Sequence, residues 1–435
     1  MKNKKSILEG WFSALSGALL AASFTLSFGA SAAAQGWQVT LSDQDSIPQS
    51  FLAIDKANQQ IHILEKHSPL SISATYPCTT GKVEGDKQVQ DDLKTPEGVY
   101  FVGRKLTQLD FDEYGGIAYT LNYPNPVDRL RQKTGYGIWI HAKGHEIIPM
   151  ETRGCIALNL PDLEHIGDNL IFGYPVAVAQ AVDTNVVQDE KLVATADILS
   201  TQVDAWAKLW SSRSTQMFDL YDGHSYTLAQ NDETFEHFKA NKKSLFQRLP
   251  WIHTVVSDVK MLPGPGYWVT WFNQFYRAPN LTTEGVRRLY WQEKDGKWLI
   301  VGMEWEPRDL GLSAHYLEQI EPDLSAFLEE WRRAWESGDA KAYSKYYSDN
   351  AVMGTHHGRK AIMEYKAKIW SSKKPVEVNL NGIRIATSSG GIQADMEQYY
   401  KDSTGYNDKG IKTLTLQPSG DSWVITSETW QAAGK

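Results

Sequence analysis

The sequence predicts a mostly β domain followed by two copies of an α+β cone. Three observations predict it. Short apolar runs bounded by Gly and Pro fill the stretch from Trp37 to about Ala181, the pattern of strands and turns. Beyond Asp189 the apolar residues switch to helical spacing. That helical pattern, with the strands that follow it, then returns 125 positions later.

In chain order, Lys2, Lys4 and Lys5 precede an apolar stretch from Trp11 to Phe28 and the small residues Ala30 to Ala34. This is the layout of a signal peptide over residues 1–34, cleaved after Ala32 or Ala34, and it predicts an exported, periplasmic or cell-envelope protein. Ser and Gly interrupt the apolar run, which argues for cleavage over a retained anchor. The remainder, at roughly 150 residues per domain, is enough for two or three domains. A net charge of −8 with mixed signs along the chain leaves no basic stripe, so nucleic acid is excluded as a partner.

The β domain is expected over residues 37–182. Phe51 to Asp55 and Gln60 to Leu64, joined across Lys56-Ala-Asn, form a hairpin. Gly98 to Val102, Gly137 to His141 and Val176 to Ala179 are further strands, and Leu163, Ile166 and Leu170 mark a short helix capped by Asn159. In the first cone, residues 190–306, the residues Leu199, Val203, Trp206 and Trp210 share one helix face. Leu324, Leu328, Trp331 and Trp335 repeat it in the second cone, residues 323–433. The offset holds for Phe218 with Tyr343, Gly285 with Gly410 and Trp305 with Trp430. Each copy reads as helices first and strands after, and residues 307–322 read as a linker ending at Pro322. The order of elements resembles the nuclear transport factor 2 / SnoaL-like superfamily, whose helices pack on a curved antiparallel sheet.

The chemistry is concentrated in Gly137-Ile-Trp-Ile-His141 and, after thirteen intervening residues, Cys155 within Thr152-Arg-Gly-Cys-Ile-Ala-Leu-Asn159. A thiol attacks as its thiolate, which is only about 3 % of an unperturbed cysteine at neutral pH, so a nearby imidazole is the expected activator. The sequence has two cysteines, Cys78 and Cys155, and a disulfide between them is the competing reading for an exported protein. It would silence the nucleophile.

The order His, spacer, Ser/Thr-x-Gly-Cys resembles the YkuD family of L,D-transpeptidases. Thr79 to Lys82, Gly85 to Lys87, Lys94 to Gly98 and Asn122 to Asn125 resemble that family's substrate-side strands and loops, in the same order. The resemblance implies that Cys155 is the nucleophile and His141 its acid/base partner. It implies that the backbone carbonyl of Ala142 orients the imidazole, and that the Gly154 and Cys155 N–H groups form an oxyanion hole. Arg153, Thr152, Tyr136 and Trp139 are the implied substrate-binding residues. Arg153 stands where many relatives have His, and Ala157 where many have Arg. The implied substrate is a peptidoglycan tetrapeptide stem, attacked at the carbonyl of its third residue with release of D-alanine. No cofactor or metal is implied.

Transfer of the acyl group to an amine makes a transpeptidase; transfer to water makes an L,D-carboxypeptidase. The order of a YkuD-like and a nuclear transport factor 2-like domain resembles the shape-determining carboxypeptidases of helical bacteria, with the accessory domain doubled here. A third reading is a non-catalytic wall-binding protein. The C-terminal cones are open to glycan, peptide or a cell-wall protein partner. His145 is a rival base to His141. His356-His357 face opposite sides of a strand and suit one metal poorly.

Overall fold

The computed structural model describes residues 36–433 apart from 68, 184 and 186–188. The expected signal peptide therefore lies outside the described residues. No helix among those described is long and apolar enough to cross a membrane.

The N-terminal domain runs β1 (Gln38–Thr40), β2 (Ser50–Asp55), β3 (Gln60–Lys66), β4 (Leu70–Pro77), β5 (Gly98–Thr107), α1 (Phe111–Tyr114), β6 (Ile117–Leu121) and α2 (Pro126–Leu130). It continues with β7 (Trp139–Lys143), β8 (Ile156–Asn159), α3 (Leu160–Gly167), β9 (Pro175–Ala179) and β10 (Ala181–Asp183). Eight of these strands form one sheet in the order β4-β3-β2-β9-β5-β6-β7-β8. The sheet curls until its ends meet. Just past β4, Thr79 bridges Ala157 of β8 through paired backbone bonds of 2.8 and 2.9 Å.

The hairpin expected at residues 51–64 is the antiparallel β2–β3 pair. Both faces of β2 are buried, which is why its sequence reads as an unbroken apolar run rather than an alternation. Leu52 and Ile54 point into the core of the curled sheet with Tyr100, Ile140 and Leu158. Phe51 and Ala53 point the other way, into a second cluster with Val99 and Phe101, and this cluster includes Tyr267, Val269, Tyr290 and Val301 of the first cone.

That first cone comprises α4 (Glu190–Ser211), a 3₁₀ turn at Thr215–Leu220, α5 (Gly223–Ala229), α6 (Phe235–Arg248), β11 (His253–Gly264), β12 (Tyr267–Ala278), β13 (Leu281–Lys294) and β14 (Lys297–Pro307). Its helices cover one face of the four-stranded sheet, packing Trp206, Trp210 and Phe238 against Phe272 of β12. The other face is the one docked on β2 and β5. The segment Asn122 to Asn125, expected on the substrate side, belongs to this seam instead. Asn122 Nδ2 reaches Glu304 at 3.1 Å, and Tyr267 Oη accepts from the Val99 N–H at 2.8 Å and from Asn125 Nδ2 at 3.3 Å.

The second cone comprises α7 (Leu312–Glu336), α8 (Ala340–Ser344), β15 (Tyr347–Met353), β16 (His356–His357), α9 (Arg359–Trp370), β17 (Pro375–Ser388), β18 (Gly391–Asp402), β19 (Asn407–Ser419) and β20 (Ser422–Ala432). Two expectations are corrected here. The linker is shorter than residues 307–322, because α7 begins at Leu312 and carries Pro322 within it. Tyr316 and Ile320 extend the buried helix face upstream, while Pro322 and the carbonyl it leaves without a donor, that of Glu318, belong to exposed residues where water can serve. Strands also precede the last helix in this copy: β15, whose exposed Asp349-Asn350 masks its period, lies parallel to β20.

Candidate active site

β7 begins at Trp139 rather than Gly137, whose φ of +76° is a turn conformation. His141 is therefore mid-strand and not at a strand end, paired with Ala118 on one side and Ala157 on the other. Cys155 directly precedes β8, the parallel neighbour of β7. Both residues line one open cleft of about 650 Å³.

His141 is 2 % exposed, and its Nδ1 lies 2.6 Å from the carbonyl of Ala142. A carbonyl only accepts, so Nδ1 carries the proton and Nε2 of the neutral ring keeps its lone pair. Burial pulls the imidazole down to about 4, with the Ala142 hydrogen bond only partly opposing it. Tyr114, on α1, lies edge-on to the imidazole at 5.1 Å. Close contacts hold α1 there: a Cβ on Gly115 would meet that of Ala142 at 2.5 Å, and one on Gly144 would meet the Phe111 carbonyl at 2.7 Å.

Cys155 is half-buried and its Sγ donates to the Gly137 carbonyl at 3.5 Å. Burial raises the thiol, and the Trp139 N–H beside it pulls the other way. Burial thus favours the neutral form of both the thiol and the imidazole. Desolvation disfavours a preformed thiolate. Cys78 and Cys155 are both free; Cys78 sits in the core with Leu52 and Leu158, where burial raises its thiol strongly.

Gly154 has φ +126°, and a Cβ there would meet the Lys94 carbonyl at 2.7 Å, so the turn before the cysteine requires glycine. Its N–H, expected to serve an oxyanion, donates instead to Thr152 Oγ1 at 3.1 Å. The same hydroxyl donates to the Cys155 carbonyl at 2.7 Å. Thr152, expected to bind substrate, therefore spends its hydroxyl on the turn that presents the thiol. Among the described residues the Cys155 N–H meets no acceptor.

The other expected contacts divide. Tyr136 is 80 % exposed at the cleft rim. Arg153 lines the cleft as a solvated side chain 3.6 Å from Asp91, a pair worth little in water. Trp139 is not part of the cleft wall; its ring packs on Tyr114 at 5.4 Å. His145 is held by Glu151 at 3.1 Å and lies outside the cleft lining. Residues that sequence reasoning missed are Tyr114, Glu113 and Lys143. The signal for the first two was Asp110 capping a short segment closed by Gly115-Gly116. His356 stacks on Tyr365 at 3.9 Å.

Residues 49–178 match the YkuD family, the L,D-transpeptidase catalytic domain. Residues 198–304 and 323–429 each match the Cds6 C-terminal NTF2-like domain. No curated protein matches the chain. Among solved structures, Bd1075 of Bdellovibrio bacteriovorus is 24 % identical over 62 % of this chain and 97 % of its own, with a TM-score of 0.49. The helical cell shape determining protein Pgp2 of Campylobacter jejuni is 27 % identical over 59 % of this chain and 91 % of its own, with a TM-score of 0.48. An NTF2-like protein of unknown function from Pseudomonas putida is 15 % identical over 27 % of this chain and 89 % of its own, with a TM-score of 0.24.

Proposed function

Because the chain carries a YkuD L,D-transpeptidase catalytic domain followed by two NTF2-like domains, we propose that it is an exported cysteine acyltransferase of peptidoglycan stems, with Cys155 as nucleophile and His141 as base and acid. The observation that carries this reading is a buried imidazole with its proton pinned on Nδ1 by the Ala142 carbonyl, lining the same cleft as a free thiol.

In the first half-reaction the thiol proton moves to His141 Nε2 as Sγ bonds to the carbonyl carbon of the third stem residue. The Cys155 N–H takes the oxyanion, the place first expected to be shared with Gly154. The C–N bond then breaks, and the imidazolium proton goes to the leaving D-alanine amine, leaving a thioester. An acceptor amine, or water, loses its proton to Nε2 and attacks that thioester, which returns Sγ as a thiol. Lys143 and Lys82 line the cleft and pair with no carboxylate among the described residues, which suits them to a stem carboxylate.

The test is purified protein incubated with tetrapeptide muropeptides and read by mass spectrometry. D-alanine release is expected from the wild type, none from Cys155→Ala, and a drop of about 10²–10⁴-fold from His141→Ala. Dimers identify transfer to an amine and tripeptides identify hydrolysis. Equal release from Cys155→Ala would overturn the mechanism, and no release from reduced wild type would overturn the activity.

A further inference from the structure

The wall of the cleft that faces the thiol is a loose strip. Gly135 and Gly137 have φ of +95° and +76°, and Tyr136 between them is 80 % exposed. Among the described residues none of these three forms a backbone–backbone hydrogen bond. Yet the Gly137 carbonyl is the acceptor for Cys155 Sγ, at 3.5 Å. The place of that carbonyl therefore depends on how the two ends of the strip are held. At one end, just before β7, the Ile138 carbonyl accepts from the Leu121 N–H at 2.9 Å. At the other end stands Thr134, outside any helix or strand.

Tyr123 Oη donates to the Thr134 carbonyl at 3.0 Å. The Thr134 N–H donates to the Gln88 carbonyl at 3.0 Å, and its Oγ1 accepts from the Gln90 N–H at 3.0 Å. Gln90 lines the cleft as well, so Thr134 joins two of its walls. Tyr123 is 5 % exposed and packs in the core with Tyr100 and Ile138. Burial raises its hydroxyl, and Asp128 and Asp86 push it the same way, so at neutral pH it stays a donor. On either side of it, Asn122 and Asn125 are taken up by Glu304 and Tyr267 of the first cone, at 3.1 and 3.3 Å. The tyrosine is thus gripped on both flanks.

We propose that Tyr123 is a positioning residue for the thiol of Cys155. Its hydroxyl anchors Thr134, the anchored strip holds the Gly137 carbonyl, and that carbonyl aims Sγ by accepting its hydrogen bond. Tyr123 is not part of the cleft lining, so it acts through the strip and not on the substrate. The inference rests on Cys155 being the nucleophile, as proposed above. The first cone enters at one remove, because its Glu304 and Tyr267 fix the asparagines that flank the tyrosine. Thr134 is exposed, so in the absence of the hydroxyl water can serve its carbonyl; the fold is spared and the strip is freed.

The test compares Tyr123→Phe with Tyr119→Phe in the full-length protein. Tyr119 is also buried and its hydroxyl also donates to a backbone carbonyl, that of Gly167 at 3.2 Å, but it too is outside the cleft lining and holds none of the strip. Each variant loses one such bond, so their Tm values should fall by similar amounts. With tetrapeptide muropeptides, Tyr123→Phe should lower kcat for D-alanine release at least about tenfold with KM changed less than about threefold, while Tyr119→Phe stays within about twofold of wild type. A second readout needs no acyl transfer. The pH profile of Cys155 alkylation by iodoacetamide, followed by mass spectrometry, reports the thiol directly. A carbonyl that accepts from the thiol favours its neutral form, so its loss should move the midpoint down by about half a pH unit in Tyr123→Phe alone. The proposal is overturned if the two variants share one kcat, or if the alkylation midpoint of Tyr123→Phe stays at that of wild type. If wild type releases no D-alanine, the acyl-transfer reading fails, and the alkylation profile alone decides on Tyr123.

Discussion

The two cones differ most where a repeat is free to differ, on the outer face of the sheet and in the charge buried inside it. Their inner aromatic frames are alike: Trp206 Nε1 donates to Tyr221 and Trp331 Nε1 to Tyr347, and a tyrosine packs on the second tryptophan in each, Tyr276 on Trp210 and Tyr400 on Trp335. The outer faces are not alike. On β12 it carries Tyr267, Val269 and Trp271 and is covered by the catalytic domain; on β18 the matching positions are Gly391, Gln393 and Asp395, of which Gln393 and Asp395 stay half-exposed. One copy is the mount of the catalytic domain, while the other has a pocket of about 330 Å³ lined by Trp335, Lys366 and Trp430. Exchanging residues between the copies tests how far each role rests on single positions.

The largest effect is expected inside the second cone. Glu428 stands where the first cone has Met303, each paired with a leucine of the neighbouring strand. Its carboxylate receives Lys412 and the hydroxyls of Tyr343 and Tyr347. Glu428→Met removes the anion paired with the buried Lys412 ammonium and two acceptor bonds from tyrosines, and should cost about 4 kcal/mol in denaturant unfolding. Burial pushes this carboxyl up, but Lys412 and Lys366 outweigh that and hold it at about 2. A folded-state pKa below the unfolded value of about 4.5 gives stability that is complete above pH 4.5 and lost as pH falls toward 2. The gap between wild type and Glu428→Met should therefore narrow across that window. A gap that stays constant from pH 5 down to 3, a span chosen at about the middle of the transition, would mean the carboxylate is not what holds this core.

A smaller effect is expected on the outer face. Val269 is fully buried against the catalytic domain, and Gln393 is its half-buried counterpart. Val269→Gln puts an amide into the seam without a partner and should cost about 3 kcal/mol. Gln393→Val, the reverse import, should change stability by no more than about 0.5 kcal/mol. Chemical denaturation of both variants, with limited proteolysis between the catalytic domain and the first cone, checks the pair. Equal costs would mean that the two outer faces are not used differently.

How much of this was legible follows from which interactions are local. The hairpin of β2 and β3, the repeat, and the His141, Gly154 and Cys155 set all show in the sequence, because period, glycine placement and motif spacing are properties of neighbouring residues. The seam was not legible. Asn122 to Asn125 read as part of the substrate side, and only the fold reveals that Tyr267 and Glu304, far along the chain, take up those side chains. The engagement of Thr152 with the Gly154 N–H was hidden for another reason. A hydroxyl two residues from a glycine serves substrate or turn equally well until the φ of that glycine is known. Pro322 misled because a proline on the exposed side of a long helix resembles a stop.

A loss smaller than that of Val269→Gln bears on how the first cone is closed. Arg287 closes the first cone with one fork bond to Gln274 and a stack on Trp305; burial lowers its guanidinium to about 10, which still leaves it charged at neutral pH. Arg287→Lys imports the residue of the second cone. The ammonium keeps the charge but has neither the planar face for Trp305 nor a second donor in the same plane for Gln274. The loss should be about 1 kcal/mol, read as a drop in Tm of a few degrees at most, with the muropeptide activity unchanged. The variant should also gain accessibility of Trp305 to a collisional quencher, because the arginine that covers the ring is gone. If quenching and Tm both match wild type, the closure of the first cone does not depend on this arginine. The contrast with the second cone would then have to rest on Met303 replacing Glu428 alone.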